Sequence, residues 1–374
     1  MSLAAAMAEP PPAADDARFM RLAFQLGRRQ RGNTWPNPAV GAVLVKDGVI
    51  VGRGWTQAGG RPHAETEALR RAKEQAKGAT LYVTLEPCSH HGKTRPCADA
   101  IIKAGVARVV SALEDPNPEV AGKGHRRMTE NGITVDVGLC ADDAVRTHAG
   151  HIRRVRDARP HVLLKLAVSA DGKAGLFDRK PAAITGEAAR TRVFQLRAEC
   201  DAILVGIGTV LADDPALTCR LPGMFERSPV RVVLDSDLRA PLASGVVATV
   251  RETPTWVFAS RSASKKAEEV LRDKSVEVFR VGGRKGRLDL AQVLKTLAKR
   301  GITRLMVEGG PTVAAAFVDA GLVDEFALFR GPKVIGGEGI DAIENMSLDE
   351  VTQGMRHSTT EEIGDDSLEF FERA

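Results

Sequence analysis

The chain has 374 residues, 43% of them hydrophobic and 27% charged, which suits two soluble globular domains and excludes a disulfide miniprotein, a collagenous fibre and a wholly disordered chain. A formal charge of +5 favours anionic partners, and a phosphorylated metabolite satisfies that as well as RNA does. Aromatics are only 4%, with one tyrosine, which argues against rings stacking on exposed bases, and no stretch nears the roughly 18 apolar residues of a membrane span.

Residues 1–17 have neither a basic start nor a sustained apolar core and read as a disordered tail. Phe19, Leu22, Ala23 and Leu26 then recur at helical spacing up to Gly27. A loop with Pro36, Asn37 and Pro38 leads to two apolar runs flanking Lys46-Asp47-Gly48, a hairpin signal. Helix and strand alternate after it: helix 64–76, strand 80–85, helix 98–104, strand 107–112, a further helix, and strand 133–137. Such alternation predicts a first domain over 18–150 whose sheet has helices on both faces. The stretch 151–160, HIRRVRDARP, is mostly charged and nearly without large apolar residues, so it is the expected linker. A second α/β series fills 161–374. Its strands are expected near 162–168, 202–205, 230–234, 255–258, 276–281, 303–307, 325–329 and 368–371, with helices at 188–198, 288–299 and 313–319.

The first domain carries HAE at 63–65 and, after one predicted strand, Pro87-Cys88 and then Cys97. A catalytic zinc takes three protein ligands and keeps one position open for water, and one histidine with two thiolates supplies the three. Glu65 is near enough to His63 to shuttle protons without occupying the metal, and zinc brings the pKa of its water toward roughly 7. H-x-E, then P-C, then a second cysteine is the order found in zinc nucleobase deaminases. His63 and Cys97 both fall at predicted helix starts, where the dipole favours a thiolate. Eight residues separate Cys88 from Cys97, more than in the general signature. Cys140, Cys200 and Cys219 have no such neighbours and read as core filler. An odd count of five cysteines without a secretory start fits a reducing, cytoplasmic setting.

PNPAVGAV at 36–43, HAE, and PCSHHGKTRPC at 87–97 together resemble the deaminase half of the bifunctional riboflavin biosynthesis family, in which the long cysteine spacing is itself a feature. Relatives acting on tRNA or free nucleosides usually keep the short spacing. The resemblance implies a cytidine-deaminase-like α/β/α domain in which His63, Cys88 and Cys97 hold Zn2+, Glu65 is the catalytic proton shuttle, and Asn37, His90 and Lys93 meet the substrate. The Asn37 amide can pair with a pyrimidine or ribose edge, and His90 and Lys93 can meet a 5-phosphate.

The second series has no G-x-G-x-x-G, so a Rossmann dinucleotide domain is not indicated. VEGGPT at 307–312 instead sets two glycines and a proline between a strand and a helix, a helix start whose N–H groups can cradle a pyrophosphate. With KLAVSADGK at 165–173, VGIGTVLADDPALTCR at 205–220 and VVLDS at 232–236, it extends the resemblance to the family's dihydrofolate-reductase-like α/β domain. That implies NADPH-dependent reduction of a ribosyl group to ribityl, with Ala167, Thr209, Asp213, Ser236, Gly310, Pro311 and Thr312 on the cofactor. Arg197, Leu217, Arg220 and Glu308 match substrate contacts. Arg197 and Arg220 suit a phosphate fork, and Lys165 and Asp171 are either ionic partners in the same site or side chains of a solvated strand end.

Pro181 and Ala183 stand where many members carry a serine and a tryptophan; proline offers no N–H or hydroxyl, and alanine cannot stack on a cofactor ring. The expected function is zinc-dependent deamination of 2,5-diamino-6-(5-phosphoribosylamino)pyrimidin-4-one, then reduction with NADPH, by a homo-oligomer acting on a small molecule and not on nucleic acid. The alternative is a monofunctional zinc deaminase of a nucleotide or tRNA base with a non-catalytic second domain.

Overall fold

The structure, a computed structural model, describes residues 13–90, 95–175, 184–284, 286–337 and 339–373. The chain divides into two compact units, Met1–Arg156 and Asp157–Ala374.

In the first unit, helix α1 (Ala13–Arg28) leads to strands β1 (Gly41–Lys46) and β2 (Val49–Trp55). Then come α2 (Ala64–Ala72), β3 (Thr80–Val83), α3 (Cys97–Lys103), β4 (Arg108–Ser111), α4 (Lys123–Glu130), β5 (Thr134–Val137), α5 (Ala141–Thr147) and α6 (Ala149–Asp157). The sheet order is β2-β1-β3-β4-β5, antiparallel on both sides of β1 and parallel from β3 to β5. Asp47 and Gly48, with φ of +52° and +74°, form the mirror-image turn that matches strand twist. Ala42, Leu44 and Leu81 pack on one face against Ala64 and Ala68 of α2, Ile101 of α3 and Met128 of α4. Val43, Tyr82 and Val110 pack on the other against Phe19, Met20 and Ala23 of α1 and Ala144 of α5. Alternate residues of β1 thus serve two cores, which is why it reads as an unbroken apolar run.

Two boundaries correct the sequence reading. Helix begins at Ala13, so the expected tail fails over 13–17. Asp16 is buried there, accepting a hydrogen bond from Tyr82 Oη and pairing with Arg108 (Nη2 to Oδ2 2.8 Å), partners that only the folded sheet supplies. Most of the expected linker is α6. His151 turns inward and bonds Asp115 (Nε2 to Oδ1 3.0 Å) while the arginines around it stay half-exposed, so charge density masked a docked helix.

The second unit begins with β6 (His161–Val168), β7 (Lys173–Gly175), α7 (Glu187–Ala198), β8 (Ala202–Gly206), α8 (Ile207–Asp213), β9 (Val230–Leu234) and α9 (Gly245–Ala248). It continues through β10 (Thr255–Ser260), α10 (Lys265–Asp273), β11 (Glu277–Val281), β12 (Gly283–Arg284), β13 (Arg287–Leu288), α11 (Leu290–Lys299), β14 (Arg304–Gly309) and α12 (Pro311–Asp319). It ends with β15 (Glu325–Arg330), β16 (Ile340–Asp341), α13 (Leu348–Thr352), β17 (Met355–Ile363) and β18 (Asp366–Arg373).

The nine-stranded sheet has the order β11-β10-β9-β8-β14-β6-β15-β18-β17, parallel from β11 to β15 and antiparallel through β18 and β17. Because β14 inserts between β6 and β8, Gly309 and Gly206 bring two carboxyl ends together, the place where open α/β sheets form ligand crevices. Strand β17 escaped the sequence reading because it is polar and mostly exposed, with no apolar alternation to mark it.

Candidate active sites

Three ligand atoms converge in the first unit. His63 is the N-cap of α2, Cys97 is the first residue of α3, and Cys88 lies on the segment after β3. His63 Nδ1 is 3.7 Å from Cys88 Sγ and 3.3 Å from Cys97 Sγ. Tetrahedral zinc, with Zn–S near 2.3 Å and Zn–N near 2.05 Å, separates such atoms by about 3.6 Å, so the donor set fits a zinc ion. The other ring nitrogen of His63 is buried without a hydrogen-bond partner among the described residues, so Nδ1 is the nitrogen aimed at the sulfurs. A hydrogen bond with Cys97 holds the Cys88 thiol down at about 4, and the same bond pushes Cys97 up.

Glu65, in the first turn of α2, is 3% exposed. Burial pushes its carboxyl pKa up, against the opposing charge of His63. A carboxyl whose pKa is raised in this way holds a proton more readily than an exposed one, which suits a proton shuttle. Asn37 Nδ2 donates to Gly60 O (2.9 Å), tying its loop to the turn ahead of His63. His90 is exposed just beyond Cys88, and Lys93 lies outside the described residues.

In the second unit a cleft of about 800 Å³ opens at the carboxyl ends of β8 and β14. Thr209, Asp213, Ser236, Gly310, Pro311 and Thr312 line it. Gly310 caps α12 at φ +41°, and a Cβ there would stand 3.1 Å from Thr209 Oγ1. Ala167 is not among the described lining residues; it packs beside the core of Met306 and Phe329.

Arg197 and Glu308 form a bidentate pair with both contacts at 2.8 Å, so each is the other's partner rather than an open hand. Burial pushes the Glu308 carboxyl up, but Arg197 and Lys165 overcome it and hold it at about 2. Burial lowers the Lys165 amine, and Glu308 opposes that. Leu217 is buried in the core at φ +55°, so its strained backbone, not its side chain, is what a ligand could meet, and Arg220 is exposed.

Asp171 departs from the ionic role considered for it. It accepts hydrogen bonds from Ser169 Oγ (2.6 Å) and from the N–H groups of Ile335 and Gly336 (3.0 and 2.7 Å), which makes it the organiser of a turn. Pro181 and Ala183 lie outside the described residues. Sequence reasoning missed Arg231, a fully buried guanidinium that donates to Thr249 Oγ1 (2.8 Å), Thr253 O (2.6 Å) and Ala216 O (3.4 Å), bracing the Leu217 loop. Its one signal was a lone charge inside the apolar run VRVVL.

The family model for the cytidine and deoxycytidylate deaminase zinc-binding region matches residues 13–113, and that for the RibD C-terminal domain matches 160–368. The chain is 42% identical over 360 residues to the riboflavin biosynthesis protein RibD of Aquifex aeolicus, covering 96% of this chain and 98% of that protein. It is 44% identical over 334 residues to RibD of Escherichia coli, covering 86% and 89%. Acinetobacter baumannii RibD superposes with a TM-score of 0.86 at 35% identity, over 97% of this chain and 100% of that one. A diaminohydroxyphosphoribosylaminopyrimidine deaminase/5-amino-6-(5-phosphoribosylamino)uracil reductase of Thermotoga maritima gives 0.84 at 34% identity, over 97% and 99%. The order of an α/β deaminase domain before an α/β reductase domain is therefore as the sequence led us to expect. The chain belongs to the RibD family of riboflavin biosynthesis, bifunctional enzymes that join a zinc-binding deaminase domain to a reductase domain.

Proposed function

We propose that the first domain hydrolyses the exocyclic amine of 2,5-diamino-6-(5-phosphoribosylamino)pyrimidin-4-one and that the second reduces the ribosyl group of the product to ribityl with NADPH. The observation that carries this reading is the approach of His63 Nδ1 to both cysteine sulfurs, with the buried Glu65 carboxyl two residues away. Zinc held there supplies a water acidic enough to react near neutral pH. Glu65, its pKa raised by burial, takes a proton on the water side and returns it to the departing ammonia. Asn37 orients the pyrimidine or ribose edge, and His90 with Lys93 meets the 5-phosphate.

In the second domain the glycine-proline start of α12 offers backbone N–H groups to a pyrophosphate, with Thr209, Asp213 and Ser236 around it. NADPH held there would supply the hydride for reduction of the opened sugar. Lys165, its amine made more acidic by burial and by Arg197 against the opposing charge of Glu308, would donate the proton that opens the ring. Arg220 is the exposed cation for the phosphate, and the backbone of the Leu217 turn would lie against the substrate. The reading includes a cytoplasmic homo-oligomer acting on a small molecule rather than nucleic acid. The scarcity of aromatics favours a small molecule over stacked bases, and the odd count of five cysteines fits a reducing compartment. No helix among the described residues is long and apolar enough to cross a membrane.

The test is to give the purified full chain the diamino substrate with and without NADPH and to identify products by mass. Loss of the amine alone is expected without NADPH, and loss of the amine with gain of two hydrogens in its presence. NADPH left untouched beside deaminated product would reduce the chain to a monofunctional deaminase.

A further inference from the structure

Glu86, two residues ahead of Cys88, has a side chain with no exposed surface. Its carboxylate accepts four backbone N–H groups, from Asp115 (3.1 Å), Gly122 (2.9 Å), Gly124 (2.9 Å) and His125 (3.3 Å). Three of these belong to the cap and first turn of α4, where a helix leaves its own N–H groups without internal acceptors. A carboxylate from a distant segment therefore does what an N-cap side chain usually does, and it suits the positive end of the helix. The bond acts in both directions, since it also pins the Pro87-Cys88 segment to α4. Glu86, Glu114 and His125 lie close enough together to suggest a second metal cluster, but the Glu86 oxygens are already committed to these N–H groups.

Two further contacts join α4 to the thiolate arms. A Cβ on Gly124 would fall 2.1 Å from Pro87 O, so the helix backbone presses directly on the residue before Cys88. One turn later, Arg127 Nη1 donates to Ser89 O (3.4 Å) and its Nη2 pairs with Asp99 (2.6 Å), in the first turn of α3 two residues beyond Cys97. One short helix thus grips the residues on both sides of Cys88 and the helical turn that begins with Cys97, without touching any ligand atom.

We propose that α4 is a splint that fixes the separation of the two thiolate arms, with Glu86, Gly124 and Arg127 as positioning residues for zinc. The proposal rests on the reading that His63, Cys88 and Cys97 hold that ion. The test compares zinc dissociation from the full chain into a chromophoric chelator for the unaltered protein and for Glu86→Gln, Gly124→Ala and Arg127→Ala. The absorption spectrum of the Co2+-loaded proteins reports on thiolate geometry. Glu86→Gln and Gly124→Ala are expected to weaken zinc retention about 10–100-fold and to alter the Co2+ spectrum, with a smaller change for Arg127→Ala.

Gly124→Ala is the sharpest arm, because its methyl group pushes on Pro87 O, next to Cys88, and removes no polar contact. Because that methyl must displace Pro87 O, a role confined to folding predicts a lowered melting temperature with normal zinc retention below it, whereas the splint predicts loosened zinc at temperatures where the chain is still folded. Zinc retention and Co2+ spectra like those of the unaltered protein in Gly124→Ala and Glu86→Gln would overturn the proposal. If Glu86→Gln does not fold, Gly124→Ala and Arg127→Ala decide it. An unaltered chain that holds no zinc would instead overturn the zinc reading itself.

Discussion

His63, Cys88 and Cys97 lie within one stretch of the first domain, His63 and Cys97 at helix starts and Cys88 on the segment between β3 and α3. The reductase candidates that line the cleft run from Thr209 to Thr312 and meet because β14 is threaded between β6 and β8. The first arrangement is specified by short-range spacing and the second by the topology of an entire sheet. Damage to a zinc-site residue should therefore stay local, while damage beneath the cleft should spread through the domain.

The largest effect that separates the two is expected for Glu65→Gln. Ammonia release should fall by about 10²–10⁴-fold, while zinc content and NADPH oxidation with deaminated substrate stay as they were. Loss of zinc in that protein would break the contrast. In the second domain, Glu308→Ala strands Arg197 and Lys165 without their counter-charge and should cost about 3–5 kcal/mol of stability in denaturant titration. Deamination by the same protein should persist, and a loss there would show the domains to be coupled. Gly310→Ala forces a side chain onto a left-handed backbone beside Thr209, so KM for NADPH should rise about tenfold, equivalent to about 1.4 kcal/mol, with kcat little changed.

The smallest effect per step is in pH. Burial lowers His148 from 6.5 to about 3, so across that interval the unfolded chain binds the extra proton and the first domain loses about 1.4 kcal/mol per pH unit as pH falls. Glu308 is lowered from 4.5 to about 2, so its stabilisation is complete above 4.5 and is lost only as pH drops through that lower window. Acid should accordingly unfold the first domain at the higher pH. Simultaneous loss of both, followed by domain-specific probes, would contradict the assignment.

The zinc motif was legible because a metal demands particular atoms at particular spacings, and VEGGPT because a glycine pair before proline marks a helix start. What escaped was held by partners distant in sequence. Asp16 looked like tail, and His151 like linker, because their bonds to Tyr82 and Asp115 exist only once the sheet has formed. Glu86 stood in plain view as a carboxylate at the end of the apolar run LYVTLEPC, yet only the structure shows four N–H groups around it. Arg197 and Glu308 were read singly, although their pairing is what a buried guanidinium and carboxylate require.

Tyr82 is the single tyrosine of the chain, buried between β3 and α1 with its hydroxyl on Asp16. Burial and that carboxylate both push its ionisation up. In an alkaline titration followed by near-ultraviolet absorbance, the phenolate band can therefore arise from one ring in one domain. It should stay dark until α1 lifts from the sheet, and opening of the reductase domain should leave it silent. The composition that made the chain poor in rings thus also gives it a built-in optical tag for the domain that carries the zinc.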